Sequence, residues 1–138
     1  MQAMRQEQQP QRKYAEAIGE LSEALKDLPQ VSLPVLHLFS VGYYGRVVSI
    51  PAGTLAIGKI HKTRNCFSLV KGTVRITTGG DVKEVSAPYH GTIVAGQQNA
   101  VYAITDCSIM NVHKTNKTTL AEIEAEVIAK SQEDVWHG

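Results

Sequence analysis

A rhythm of short β-prone runs between residues 33 and 115 constrains the fold more than any other feature of this chain. Runs rich in Val, Ile, Thr and Tyr alternate with turn residues roughly every 8–12 positions, as strands do. Nine runs can be distinguished: LPVLHLF, GRVVSI, TLAIGKI, CFSLV, TVRITT, DVKEVSA, GTIVA, NAVYAI and CSIMNVH. Such a series predicts one antiparallel β-sandwich or barrel.

Turn residues and alternation within the runs support this prediction. Val74 and Ile76 should face one side of their strand, because side chains alternate along a strand with a period of two. Gly79 and Gly80 supply the positive φ angles that a tight hairpin requires. Further corners are expected at four positions: Pro51, Gly53, Gly72 and Gly96.

A helix is predicted before the strands, over residues 13–28, because its apolar residues fall on one narrow stripe. The stripe consists of Tyr14, Ile18, Leu21, Leu25 and Leu28. Their 4-3 spacing resembles the seam of a coiled coil, and Pro29 ends the helix. About two heptads are marginal alone. The stripe is therefore either packed on the sandwich or paired with a second copy, and we expect self-association through these residues.

A second helix is predicted near the C-terminal end. Thr119 and Glu122 have the spacing of a capping box, and Leu120, Ile123 and Val127 form an apolar stripe. The expected organisation is a mobile polar arm over 1–12, a helix over 13–29, a sandwich over 30–116, and a helix with a polar tail over 117–138, all in one domain.

Composition excludes several classes of protein. The 138 residues are 43% apolar and 20% charged, with a formal net charge of +1, which is typical of a globular chain. So weak a net charge argues against nucleic acid or a membrane surface as a partner. The polar N-terminal segment does not resemble a secretory signal, and no apolar run is long enough to cross a bilayer. We interpret Cys66 and Cys107 as cytosolic thiols, which places the protein in the cytoplasm.

The stretch from Gly53 to Gly72 resembles the first signature of the cupin superfamily. That signature runs glycine, five residues, His-x-His, three or four residues, Glu, six residues, glycine, and it fits this chain without a gap. Its two His positions fall on Lys59 and His61, and its Glu position falls on Asn65. A second cupin signature places its His on Asn99. The resemblance implies a jelly-roll barrel and often a dimer or larger ring.

The same resemblance implies a divalent metal ion held by three His and one Glu in many cupins. Here the four positions are Lys59, His61, Asn65 and Asn99. Amide oxygens are neutral ligands, and the Lys59 ammonium would add positive charge beside the ion. We therefore expect no metal and no other cofactor.

A likeness to small cupin-like proteins of tailed bacteriophages is carried by IPAGTLAIGKIHK, by NVHKT and by the Glu-rich last helix. It implies a phage source, and so a location in the host cytoplasm or the virion. That family is largely uncharacterised, so the resemblance implies an origin rather than an activity.

Five residues are candidates for a ligand site: Lys59, His61, Asn65, Asn99 and His113. Lys59 and His61 alternate along one predicted strand, so both should face the same side. If that side is the barrel interior, they form with Asn99 a polar pocket for an anionic or hydroxylated ligand. The alternative is a hydrogen-bonded His61 at the barrel mouth. His113 either joins His61 across the sandwich or is a structural histidine.

Other residues give weaker indications. Tyr43, Tyr44 and Arg46 could anchor a partner or simply pack in a strand. His37 is expected to be half-buried. No nucleophile motif, phosphate-binding loop or cysteine pair at zinc spacing is present in the sequence, so the only catalytic candidate is His61 as a general base.

Two functions remain open, and the sequence favours the first. It is a non-catalytic, self-associating cupin-like module that contacts a virion or host protein. The second is a metal-independent cupin that binds or isomerises an anionic metabolite or nucleotide near Lys59, His61 and Asn99.

Overall fold

The computed structural model describes residues 14, 16–78 and 80–137. The predicted polar arm over 1–12 lies outside the described residues. A first helix, α1, spans 16–25. The remaining elements follow in chain order: β1 Val35–Ser40, β2 Tyr43–Ile50, β3 Leu55–Ile57, β4 Ile60–His61, β5 Asn65–Lys71, β6 Thr73–Thr78, β7 Asp81–Ser86, β8 Tyr89–Ile93, β9 Ala100–Ala103, β10 Cys107–Lys114, α2 Leu120–Val127, β11 Ile128–Ala129 and α3 Gln132–His137.

The strands form antiparallel sheets that pack as a jelly-roll sandwich. One sheet has five strands in the order β1-β2-β10-β5-β8, the second has four in the order β3-β9-β6-β7, and β11 pairs with β4. The predicted fold class is confirmed. Each of the nine predicted runs contains a strand, but the third divides into β3 and β4 around residues 58–59.

The core lies between the two large sheets, where alternate side chains of each strand meet. Val74 and Ile76 are both buried there, as the alternation predicts. Gly53, Gly72 and Gly96 all have positive φ angles, as corners require. At Gly72 a Cβ atom would also lie 2.4 Å from the carbonyl oxygen of Asp106, so that corner admits no side chain.

Helix α1 packs partly on the sandwich. Ile18 is only 5% exposed although a single chain is present, so other parts of the same chain cover it. The Tyr14 hydroxyl lies 2.7 Å from Thr77 Oγ1. Leu21 and Leu25 are half-buried, and Leu28 is exposed beyond the end of the helix. The N-terminal part of the predicted stripe, Tyr14 and Ile18, thus packs against other parts of the same chain.

The C-terminal segment folds back along the barrel. Thr119 caps α2, because its hydroxyl oxygen accepts from the Glu122 backbone N–H, as the capping-box spacing predicts. After α2, Ile128 pairs with His61 in a short β11–β4 ladder. Helix α3 is formed by residues that were predicted to be a polar tail. Within it, the Asp134 carboxylate accepts a hydrogen bond from the Lys130 backbone N–H.

The two cysteines are both free thiols, with Cys66 exposed and Cys107 buried. Among the described residues, none of the helices has the length and apolar character needed to traverse a bilayer.

Candidate functional site

A cavity of about 210 Å³ opens between the two large sheets. Its wall includes side chains from β2, β5, β9 and β10, together with residues that follow β3 and residues of α2. Most of the wall is apolar, but one end carries polar side chains. The polar and ionisable lining residues are Tyr44, Arg46, Lys59, His61, Asn99, Asn111, His113 and Glu124.

Strand register explains why the polar residues share one end. On the inner face of β2, alternate residues line the cavity in the order Tyr44, Arg46, Val48 and Ile50. Each is paired with an inward residue of β10, and the pairs are Tyr44 with His113, Arg46 with Asn111, Val48 with Ile109 and Ile50 with Cys107. We call each of these pairs a row. Two polar rows therefore lie next to two apolar rows on the same sheet.

His61 belongs to a chain of hydrogen bonds that runs through two asparagines. Asn65 Nδ2 donates to His61 Nδ1 over 3.1 Å, and Asn111 Nδ2 donates to Asn65 Oδ1 over 3.0 Å. Because Nδ1 accepts, a neutral His61 carries its proton on Nε2. Asn65 is 3% exposed and does not line the cavity itself. It forms hydrogen bonds with His61 and Asn111, which do line the cavity.

His113 stacks directly on His61. The ring centroids are 5.5 Å apart with an angle of 16° between the planes. His113 is 3% exposed, and its Nδ1 atom has no hydrogen-bond partner among the described residues. A buried polar atom of this kind normally finds a partner. His113 thus contributes a ring to the cavity wall, while its Nδ1 atom stays buried without a described partner.

Both imidazoles are held neutral by their surroundings. Burial lowers the pKa of His61 to about 4, with smaller contributions from His113 and from the Arg46 guanidinium. Burial also lowers the pKa of His113, and Arg46 acts in the same direction. A charged imidazole would be poorly solvated here and would lie near a fixed positive charge.

Tyr44, which also lines the cavity, extends the stack beyond His113. Its ring lies 6.0 Å from that of His113, and its hydroxyl lies 2.6 Å from His37 Nδ1. Burial raises the pKa of the Tyr44 hydroxyl. His37 is half-buried, as expected from the sequence. Tyr44 also packs against Ile123 and Val127 of α2, which fixes that helix beside the polar rows.

Arg46 contributes the interior positive charge. It lines the cavity between Tyr44 and Val48, opposite Asn111. Among the described residues, no carboxylate lies within salt-bridge distance of its guanidinium. A planar guanidinium with several free N–H groups is suited to bind a carboxylate or phosphate.

The wall beside these rows is completed by the C-terminal segment. Glu124 of α2 lies 3.9 Å from Lys59 in an exposed ion pair. The Lys62 backbone N–H donates to the Val127 carbonyl, and Lys62 Nζ lies 3.6 Å from Asp134 Oδ2. Together with the β11–β4 ladder, these contacts tie α2 and β11 to the barrel.

Four of the five predicted site residues line the cavity: Lys59, His61, Asn99 and His113. Lys59 lies between β3 and β4 rather than within a strand, and it points towards Glu124. The Asn99 amide oxygen accepts from Gln97 Nε2 over 3.0 Å. The fifth residue, Asn65, lies behind the wall.

Arg46, Asn111 and Tyr44 were not predicted from the sequence to belong to this site. Tyr43, Tyr44 and Arg46 were expected to form one cluster, but Tyr43 is exposed on the opposite face of β2. The sequence nevertheless contained a signal that Arg46 faces the interior. Tyr44, Arg46, Val48 and Ile50 share one period-two face, and an arginine on an otherwise apolar face indicates an interior role.

A cupin-type metal ion does not fit these side chains. Among the described residues, no group of three or more His, Cys, Asp or Glu is placed to hold a metal. His61 Nδ1 and the Asn65 amide are engaged with each other, and the Arg46 and Lys59 cations lie nearby. Two imidazoles and amides, with the Glu124 carboxylate paired to Lys59, make a weak donor set for a divalent ion.

Several solved structures share this fold. A cupin superfamily protein from Desulfitobacterium hafniense superimposes with a TM-score of 0.54 at 11% identity, covering 66% of this chain and 84% of that protein. The cupin domain of an XRE-family transcriptional regulator from Enterobacter cloacae gives 0.53 at 9% identity, covering 63% of this chain and all of that domain. An acetylacetone dioxygenase from Acinetobacter johnsonii gives 0.51 at 15% identity, covering 62% and 61% of the two chains.

At these identities the similarity establishes the cupin fold and nothing about activity, and the proteins named include both an enzyme and a regulator. A scan against sequence models of protein families finds no match, and a search of curated proteins also finds none. The resemblance to phage proteins stays a prediction, because none of these matches tests it.

Proposed function

We propose that this protein binds a small anionic metabolite inside its barrel, with Arg46 as the anchor. The observation that carries this proposal is the guanidinium of Arg46 in the cavity wall, without a carboxylate partner among the described residues and beside two neutral histidines. A cation in such a place gains more from an anion than it would in water, because the surroundings screen the charge weakly.

The neighbouring groups complete the recognition of an anion. His61 would donate through Nε2, since Asn65 occupies Nδ1. Asn111 lies opposite Arg46 in the strand register. His113 stacks on His61 and lines the same end of the cavity. An oxyanion bound by Arg46 could therefore receive further hydrogen bonds from the same end of the cavity.

Binding without catalysis is favoured by the acid–base chemistry of the cavity. With a pKa of about 4, His61 is a weak base. Glu124 is the carboxylate of the cavity wall, and it pairs with Lys59. No acid–base pair is thus formed by the residues described here.

The size of the cavity limits the ligand. At about 210 Å³ it is smaller than the sites of roughly 300–1,000 Å³ that enclose drug-sized molecules. This volume favours a small carboxylate or phosphate ester over the nucleotide that the sequence left open.

The test is a thermal-shift and calorimetry panel of small anions at neutral pH, with Arg46→Gln as the diagnostic variant. At least one anion should raise the melting temperature of the native chain. Loss of charge-assisted hydrogen bonds should weaken its binding to Arg46→Gln by roughly ten- to hundredfold.

Arg75→Gln is the matched control, because Arg75 lies on an exposed strand position in an ion pair with Glu84. It should bind the anion as the native chain does. If no anion stabilises the protein, or if Arg46→Gln binds equally well, the proposal fails.

A second candidate function is self-association, which the sequence also predicts. The observation that favours it is an apolar patch on the outer face of the five-stranded sheet. Leu36 and Leu38 of β1 are 58% and 43% exposed, and Leu38 and Met110 cover Gly45 on this face. Contiguous exposed apolar side chains of this kind often mark an interaction surface. The virion or host partner stays a prediction.

A further inference from the structure

The cavity has two chemically distinct ends, and this division indicates the class of ligand. Beyond the polar rows, Val48 and Ile50 of β2 continue the wall opposite Ile109 and Cys107 of β10. The second sheet contributes Ile76 and Val101, and Phe67 and Ile93 complete this end. The part of the cavity away from Arg46 is therefore lined by hydrocarbon.

Among the described residues, the charges at the polar end add to a single positive charge. Arg46 contributes one positive charge, while Lys59 and Glu124 form an ion pair that cancels. The stacked His61 and His113 are neutral at physiological pH because burial lowers both pKa values. One unbalanced cation matches a monoanion better than a dianion, because the second charge of a dianion would be buried without a partner.

We infer that the ligand is a monocarboxylate with an apolar body, held by its carboxylate at Arg46 and with its hydrocarbon part against the Val48 and Ile50 rows. This inference rests on the proposed function and specifies its ligand. Ile50 follows Arg46 by four steps of extended strand, a span of about 13 Å. That length suits a short aliphatic or aromatic acid lying along β2.

The test is a homologous series of sodium carboxylates, acetate, butyrate and hexanoate, titrated calorimetrically at pH 7.5. Succinate and inorganic phosphate serve as compact, more highly charged anions. Each methylene that reaches the apolar rows should strengthen binding roughly fourfold. Hexanoate should therefore bind far more tightly than acetate, and succinate and phosphate should bind weakly.

A pair of variants on one strand locates the apolar end. Val48→Thr places a hydroxyl in the cavity wall and should lower the affinity for hexanoate at least threefold while changing that for acetate little. Val47→Thr makes the same change on the outer face of β2 and should match the native chain.

The outcomes separate this inference from the proposed function. Binding of phosphate or succinate as tightly as hexanoate, still dependent on Arg46, would overturn the inference and leave anion binding intact. Equal affinity across the carboxylate series would also overturn it. If none of these anions binds, both fail.

Discussion

His61 and His113 stack face to face, 5.5 Å between ring centroids, although they come from β4 and β10 and belong to different sheets. Asn65 orients the first ring, and Tyr44 stacks on the second. The pair thus closes the polar end of the cavity with two neutral imidazoles, and the behaviour of the site depends on their staying neutral.

Acid should destabilise the fold through this pair. The pKa of His61 is about 4 in the folded chain, below the ordinary value of about 6.5. Between these values the unfolded chain binds a proton that the folded chain does not, so the free energy of unfolding falls as pH decreases through this window. The loss should reach on the order of 3 kcal/mol and be recovered above pH 6.5. Urea unfolding at several pH values measures it.

The control for this prediction compares two histidine variants. His61→Asn should flatten the pH dependence between about pH 4 and 6.5. His90→Asn, on the exposed face of β8, leaves the stacked pair intact and should keep the native pH dependence. A native-like pH dependence in His61→Asn would contradict the assignment.

Replacing Asn65 with Asp should raise the pKa of His61 above about 4. The new carboxylate would lie near His61 Nδ1, where the amide nitrogen is now 3.1 Å away, and would stabilise the imidazolium. A histidine titration by nuclear magnetic resonance would show the change. Asn116→Asp adds the same charge at an exposed position and should leave the pKa of His61 unaltered. An unchanged value in Asn65→Asp would refute the hydrogen-bond assignment.

Gly91→Ala should displace the Phe67 ring and reduce the apolar part of the cavity. A Cβ at Gly91 would lie 2.5 Å from Phe67 Cε1, and Phe67 lines the cavity. We expect a destabilisation of about 1–3 kcal/mol, as in other overpacked cores, together with weaker binding of the longest carboxylate that binds. Chemical denaturation and calorimetry would measure these effects.

Gly19→Ala is the matched control for that variant. Gly19 lies in α1 with no atom within 4 Å of an added Cβ. The substitution should be neutral or stabilising, because alanine favours helix. Native stability in Gly91→Ala would contradict the tight contact with Phe67.

Self-association should depend on the outer face of the five-stranded sheet. Leu38→Asp places a charge in the apolar patch and should lower the molecular mass measured by light scattering. Leu21→Asp should leave the mass unchanged, because the adjoining residues Tyr14 and Ile18 are engaged within the chain. A native chain that is already monomeric, or a monomer produced only by Leu21→Asp, would rule out this interface.

Much of the fold could be predicted because its signals are local. The alternation along β6 predicts that Val74 and Ile76 are buried, and both are. Gly53 and Gly72 were predicted to form corners, and both have positive φ angles. The short β11 could not be anticipated, because two residues give no period, and their strand conformation depends on a tertiary partner in β4.

The site was only partly predictable, since it depends on register. His61 and Asn99 were identified through the resemblance to two cupin signatures, each of which lies within a single chain segment. His113 could not be placed beside His61 from the sequence, because their meeting depends on how two sheets face each other. Arg46 was not predicted to line the cavity for a similar reason, because its place beside Asn111 depends on the pairing of β2 with β10.

The short β11–β4 ladder has a kinetic consequence. It pairs two residues of each strand, and its nearest ion pairs are partly exposed, so this corner should detach at far lower energetic cost than the barrel itself. Entry and exit of a ligand would then depend on local opening of the β11–β4 ladder. The ligand's dissociation rate would be governed by β11, and substitutions there would change this rate without altering the side chains that contact the ligand.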